Sequence, residues 1–192
     1  MEFRYDYPNP AAAAPPQISN DPDLIFLRED LADELGAIVG YLECAEEIRD
    51  YEICKHFQHI AREEEGHFFQ LLKLISALDP IQGEEFRKKE LSRLPAGDPF
   101  FAFGSGCKNC GEHEPEESNP RKGQRDRKHF IFDERTIECL RNAIKDETRA
   151  INAYQRQIQA TANPAIQSLL ITIMNKEKEH LAMFIKIYFD RP

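Results

Sequence analysis

With 192 residues, 41% of them hydrophobic and 31% charged, the chain can close one sizeable core but not two full-sized domains. Its formal charge of -9 argues against nucleic acid as the main partner and suits the handling of cations. No run approaches the roughly 20 apolar residues of a membrane helix, residues 1–17 lack the apolar stretch of a signal peptide, and five cysteines do not form a disulfide framework. These features place the expected site of action in the cytoplasm, away from membranes.

Residues 1–21 mix charge, aromatics, alanine and proline and read as an N-terminal extension. Asn20-Asp21-Pro22-Asp23 supplies an N-cap, an early proline and acidic residues at the positive helix end, so a first helix is predicted over about 22–47. A second periodic stretch starts near Asp50 and stops before Pro80, where the backbone ladder cannot continue. From 79 to 132 the pattern dissolves into prolines, glycines and the basic run Arg121 to Lys128, with a short helix allowed over Gly83 to Leu94. That run lacks interleaved aromatics and reads as a solvated linker. Periodicity resumes at Asp133 and continues to about Ala162, and Asn163-Pro164 opens a last helix reaching about Tyr188. The plan is one domain, with helix pairs at 22–78 and 133–189 around an insert at 79–132.

A shift of 113 residues lays the second helix pair on the first without a gap. Leu27, Leu31, Glu34, Ile38 and Tyr41 fall on Leu140, Ile144, Glu147, Ile151 and Tyr154. Ile53, Phe57, Ile60, Glu64, His67, Leu71 and Leu74 fall on Ile166, Leu170, Ile173, Glu177, His180, Phe184 and Ile187. Spacings of three and four residues put each row on one helix face. Glu34, Glu64, His67, Glu147, Glu177 and His180 therefore interrupt four apolar stripes and should point inward.

Buried carboxylates cost several kcal/mol unless paired or metal-bound, and four together repel one another. Two divalent cations balance four carboxylates. Oxygen-rich donors with one imidazole per metal suit Fe(II) or Mn(II) better than zinc, so two iron ions are the first expectation and manganese the second. Glu and His at i and i+3 share a face and can serve one centre, while a Glu from each of the other helices bridges or terminates it.

The segments Glu34-Leu35-Gly36-Ala37-Ile38-Val39-Gly40-Tyr41 and Glu147-Thr148-Arg149-Ala150-Ile151-Asn152-Ala153-Tyr154, with Glu64-Glu65-Gly66-His67 and Glu177-Lys178-Glu179-His180, resemble the ligand helices of the ferritin-like superfamily. The resemblance implies an all-α four-helix bundle made of two repeated helix pairs. The interval of 30 residues from first Glu to Glu-x-x-His, and Lys176 to Met183, look most like encapsulated ferritins, here as two halves fused. That likeness implies a ferroxidase oxidising Fe(II) with dioxygen or peroxide for iron storage or detoxification, carried as cargo in an encapsulin nanocompartment and assembled as a homo-oligomer, a dimer or larger. After Tyr188 only four residues remain in the sequence, none of them a cargo-targeting tail.

Other readings stand beside this one. A rubrerythrin-like peroxide reductase needs a rubredoxin module, whose second Cys-x-x-Cys pair is absent from the sequence. A manganese catalase would release oxygen from peroxide, and a non-catalytic helical module would bind metal without turnover. Tyr41 and Tyr154 are expected in the core with hydroxyls bonded to ligand carboxylates. Cys107, Cys110 and His113 could form a separate zinc site with a further ligand. Cys44, Cys54 and Cys139 read as small apolar fillers, and His56, His59 and His129 as solvated, the first two with an option on a secondary iron contact. Glu63 and Glu65 do not count as an iron path, because the repeat replaces them by Lys176 and Lys178. Whether the repeats close one bundle within a chain or across a dimer is left open.

Overall fold

The computed structural model describes residues 21–89 and 132–190. Cys107, Cys110, His113, His129 and the basic run at 121–128 lie outside them. The described residues form α1 (Pro22–Glu47), α2 (Tyr51–Leu78), α3 (Pro80–Lys88), α4 (Glu134–Ala160) and α5 (Pro164–Phe189), and no strand. No helix among them is long and apolar enough to cross a membrane.

Each helix starts where a short polar side chain can satisfy free backbone N–H groups. Asp21 accepts from the Asp23 amide, Asp50 from Glu52 and Ile53, Asp133 from Thr136, and Asn163 from Ala165. Pro80 stops α2 as expected and also opens α3, three residues earlier than the sequence suggests. Asp79 makes this possible: its amide closes α2 onto the Ile75 carbonyl while its carboxylate caps Ile81 and Gln82. Gly83 lets α3 lie against α2, since a Cβ there would meet the Ser76 carbonyl oxygen. Arg28 of α1 ties the corner with a 2.6 Å ion pair to Asp79 and a 2.9 Å hydrogen bond to Gln82.

The short links at 48–50 and 161–163 make α1/α2 and α4/α5 antiparallel hairpins. The hairpins then pack α1 on α4 and α2 on α5. Contacts Asp23 to Thr161, Asp30 to Gln157 and Tyr41 to Glu147 run in opposite sequence directions, so α1 and α4 are antiparallel too. The bundle closes within one chain.

Every long helix crosses from one apolar cluster through a polar layer to a second. One cluster holds Tyr41, Phe57, Leu140 and Phe184, with ring centroids of Phe57 and Phe184 4.9 Å apart. The other holds Leu24, Leu27, Leu71, Ile75, Ile166 and Leu170. Burial of such side chains contributes on the order of 1.5–3 kcal/mol each, and this is what holds the intervening charges in place.

The cysteines depart from expectation. Cys54 of α2 packs in the apolar cluster of Tyr41 and Phe57, while Cys44 of α1 and Cys139 of α4 form a disulfide across 95 residues, with Cα atoms 5.8 Å apart. They are not merely fillers. Their meeting depends on the antiparallel α1/α4 crossing, which the local sequence around each cysteine does not encode.

Candidate metal centre

The polar layer consists of Glu34 from α1, Glu64 and His67 from α2, Glu147 from α4, and Glu177 and His180 from α5, none more than 5% exposed. At that burial water cannot solvate four carboxylates, so the neutralising charge must lie inside. The side chains form two overlapping groups, Glu34, Glu64, His67 and Glu177 in one, and Glu64, Glu147, Glu177 and His180 in the other. Within each, the candidate ligand atoms lie within 4.8 Å of one another. Glu64 and Glu177 belong to both, while Glu34 and Glu147 belong to one each.

The distances repeat across the pseudo-two-fold. His67 Nδ1 lies 2.8 Å from Glu64 Oε2, 3.0 Å from Glu177 Oε1 and 3.8 Å from Glu34. His180 Nδ1 lies 2.9 Å from Glu64 Oε1, 3.1 Å from Glu177 Oε2 and 3.8 Å from Glu147. Each shared carboxylate thus turns one oxygen to either half. The histidine rings stack with centroids 5.9 Å apart.

Tyr41 donates to Glu147 at 2.7 Å, and Tyr154 donates to Glu34, so each tyrosine holds the terminal carboxylate of the other repeat. Burial and the adjacent carboxylates push both phenols well above their ordinary range, which keeps them protonated as donors.

Protons take the cations' part when the carboxylates stand alone. Burial opposes charge on His67 and His180, but hydrogen bonds to the surrounding glutamates outweigh it and raise both imidazoles. Burial and neighbouring carboxylates raise Glu34 and Glu147, whereas the two histidines pull Glu177 below its ordinary value against its burial. Glu64 Oε1 and Glu177 Oε1 are buried and receive no well-aligned hydrogen bond, although an imidazole Nδ1 lies 2.9 Å from the first and 3.0 Å from the second. Buried, unsatisfied oxygens beside two imidazoles are the donor set that a pair of hard divalent cations would complete, so the residues fit two metal ions.

A cavity of about 300 Å³ reaches this layer between α1 and α4. Glu34, Glu64, Glu147 and Glu177 line its floor, while Asp33, Asp146 and Arg149 line it from outside the ligand set. Arg149 sits 3.7 Å from Asp146. This approach is invisible in the sequence because it depends on how closely two helices pack.

Two further features escape the motif pattern. Glu63, set aside for its charge reversal in the repeat, places Oε2 3.0 Å from His180 Nε2 and 3.5 Å from His59, with Lys176 3.8 Å from its Oε1. Burial would raise Glu63, but the bond to His180 and the nearby His59 and Lys176 bring it below the ordinary carboxylate range. Asp30 and Gln157 are buried outside the site, joined by a 2.7 Å bond from Nε2 to Oδ1. Asp30 lies four residues before Glu34, so helical spacing could have found it; the stripe runs through Leu31 in the heptad pattern instead. His56 lines a separate groove with Ile53, Phe132 and Lys186.

No family model and no curated protein matches the chain. Among solved structures it is similar to wild-type KatB, a manganese catalase from Anabaena, at 19% identity and TM-score 0.54, covering 99% of this chain and 83% of that one. KatB from Anabaena PCC7120 aligns at 18% identity with the same TM-score and coverage. The fold is ferritin-like. Within that fold, the two repeats supply two half-sites alike in their six principal residues, and the geometry can hold two cations about a pair of shared carboxylates.

Proposed function

We propose that the chain is a ferroxidase that takes two Fe(II) ions as substrate into the two half-sites and passes their electrons to dioxygen or peroxide. The observation that supports this most is an oxygen-rich cluster reached by a cavity flanked by Asp33, Asp146 and Arg149, two carboxylates to one cation. Carboxylates along an approach attract a cation and do nothing for a neutral oxidant. Two Fe(II) give up one electron each, and the oxidant accepts the pair. The resemblance to encapsulated ferritins extends the proposal to storage or detoxification, with ferric product handed to a compartment in which the chain is cargo.

The chain's own groups perform the binding steps. His67, His180, Glu34 and Glu147 surrender protons as cations arrive. Glu64 and Glu177 span both positions, so loading one half orders ligands of the other. Tyr41 and Tyr154 hold the terminal carboxylates at their places, and the two apolar clusters exclude bulk water from above and below the layer.

A second reading, manganese catalase, is favoured by the named structural neighbours and by a donor set that Mn(II) satisfies equally well. An oxygen electrode separates the two. Oxygen uptake on repeated Fe(II) additions, with no gas release from peroxide by manganese-loaded protein, supports the ferroxidase. Rapid oxygen release from peroxide by the manganese form, with slow Fe(II) oxidation, supports the catalase.

A further inference from the structure

The two half-sites match in their six principal residues but not in what stands behind the histidines. Both imidazoles turn Nδ1 to the carboxylate cluster, and the ion pairs of His67 all run from Nδ1. His180 also has its outer nitrogen engaged, with Nε2 donating to Glu63 Oε2 at 3.0 Å. The repeat places Lys176 where Glu63 would be needed for His67. Lys176 carries only donors and cannot accept an Nε2–H. Its ammonium turns instead to Glu179 at 2.8 Å and to Glu63 at 3.8 Å.

A carboxylate on the outer N–H of a ligating imidazole fixes ring orientation and tautomer and makes the inner nitrogen a better donor. Resting on the reading of this layer as a two-metal centre, we propose that Glu63 is a positioning residue that makes the half-sites unequal. The position formed by Glu64, Glu147, Glu177 and His180 binds its cation more tightly and fills first. The position formed by Glu34, Glu64, His67 and Glu177, backed by Lys176, fills second. Two cations thus load in order rather than at random, and the later, weaker position is the one suited to give up its ion.

Mn(II) is the probe, because it binds such donors without being oxidised in air. Metal-free full-length protein is titrated by calorimetry, and electron paramagnetic resonance is recorded at one equivalent. Wild type is expected to show two steps and mainly an isolated-ion signal at one equivalent. E63Q is expected to weaken the first step by roughly 10- to 100-fold and bring it toward the second. K176E, made on a partly exposed side chain, gives His67 its missing acceptor and should strengthen the second step, merging the steps from the other side. It keeps the test decisive even if E63Q does not fold. A merely structural Glu63 would shift both steps together and leave K176E like wild type. That result, or two equal steps in wild type, would overturn the inference while leaving the metal centre standing. No Mn(II) binding at all would overturn the metal-centre reading and the inference with it.

Discussion

Beyond the six ligands, the two ends of the bundle share tyrosines at equivalent positions and little else in the surrounding layer. Past Tyr154 the space between α1 and α4 holds Asp30 and Gln157, a buried polar pair in which Asp30 Oδ2 and Gln157 Oε1 accept no hydrogen bond. Past Tyr41 the repeat puts Ala143 and Cys44 in the same two places, and Cys44 is bonded to Cys139. One end carries an electrostatic cost and the other a covalent tie. The cluster therefore dictates chemistry only to the tyrosines that touch it; past them, the packing demands volume and tolerates opposite solutions.

The ligands are where the halves must stay alike, and substitutions there should have the largest effect. Glu34→Ala and Glu147→Ala should each reduce rapid Fe(II) oxidation by more than the roughly 100-fold that outer partners of a ligand are worth. Stopped-flow ferric absorbance measures this, with circular dichroism showing helix content retained. A loss in only one variant would mean that the halves are not both required.

Next comes the tied end. Cys44→Ala should lower unfolding free energy by about 2–4 kcal/mol in urea and make it insensitive to reductant. If wild type and variant coincide under oxidising conditions, the bond contributes nothing.

The polar end should behave oppositely. Burial raises Asp30 from 3.8 to about 7 against the lowering effect of Gln157. The folded state therefore holds a proton that the unfolded chain has released between those values, and stability falls as pH rises through that window. Asp30→Asn should stabilise the protein by roughly 1–3 kcal/mol above pH 7 and by little near pH 4. The difference in melting temperature between the two proteins across pH checks it, because the shared contribution of the cluster cancels. A constant difference would show that Asp30 titrates alike in the folded and unfolded chain.

The smallest effect is expected at the tyrosines. Tyr41→Phe removes one donor to Glu147 and should slow oxidation about 10-fold, as for other partners of a ligand. Complete loss would instead assign the phenol a redox part.

The four long helices and their ligands were legible because 3.6-residue periodicity, cap residues and an internal repeat all point the same way, and because Glu and His on an apolar stripe are too costly to bury without something to bind. The disulfide was not legible, since Cys44 and Cys139 are brought together only by the crossing of helices far apart in sequence. Glu63 was hidden by its own asymmetry: comparison with Lys176 argued against a shared role, and the role it has is unshared. The approach past Asp33 and Asp146 required the spacing between α1 and α4, which no local pattern carries. The zinc option at Cys107, Cys110 and His113 falls outside the described residues.

A ferroxidase of this design needs two Fe(II) positions per chain that empty and refill. The direct measurement is anaerobic titration of metal-free protein with Fe(II), followed by oxygen while ferric absorbance and oxygen consumption are recorded together. Two Fe(II) should bind per chain, both should oxidise fast, and oxidation should resume with each further addition of iron. Binding without oxidation by oxygen or by peroxide added afterwards, or no binding at the six residues, would contradict the proposed function.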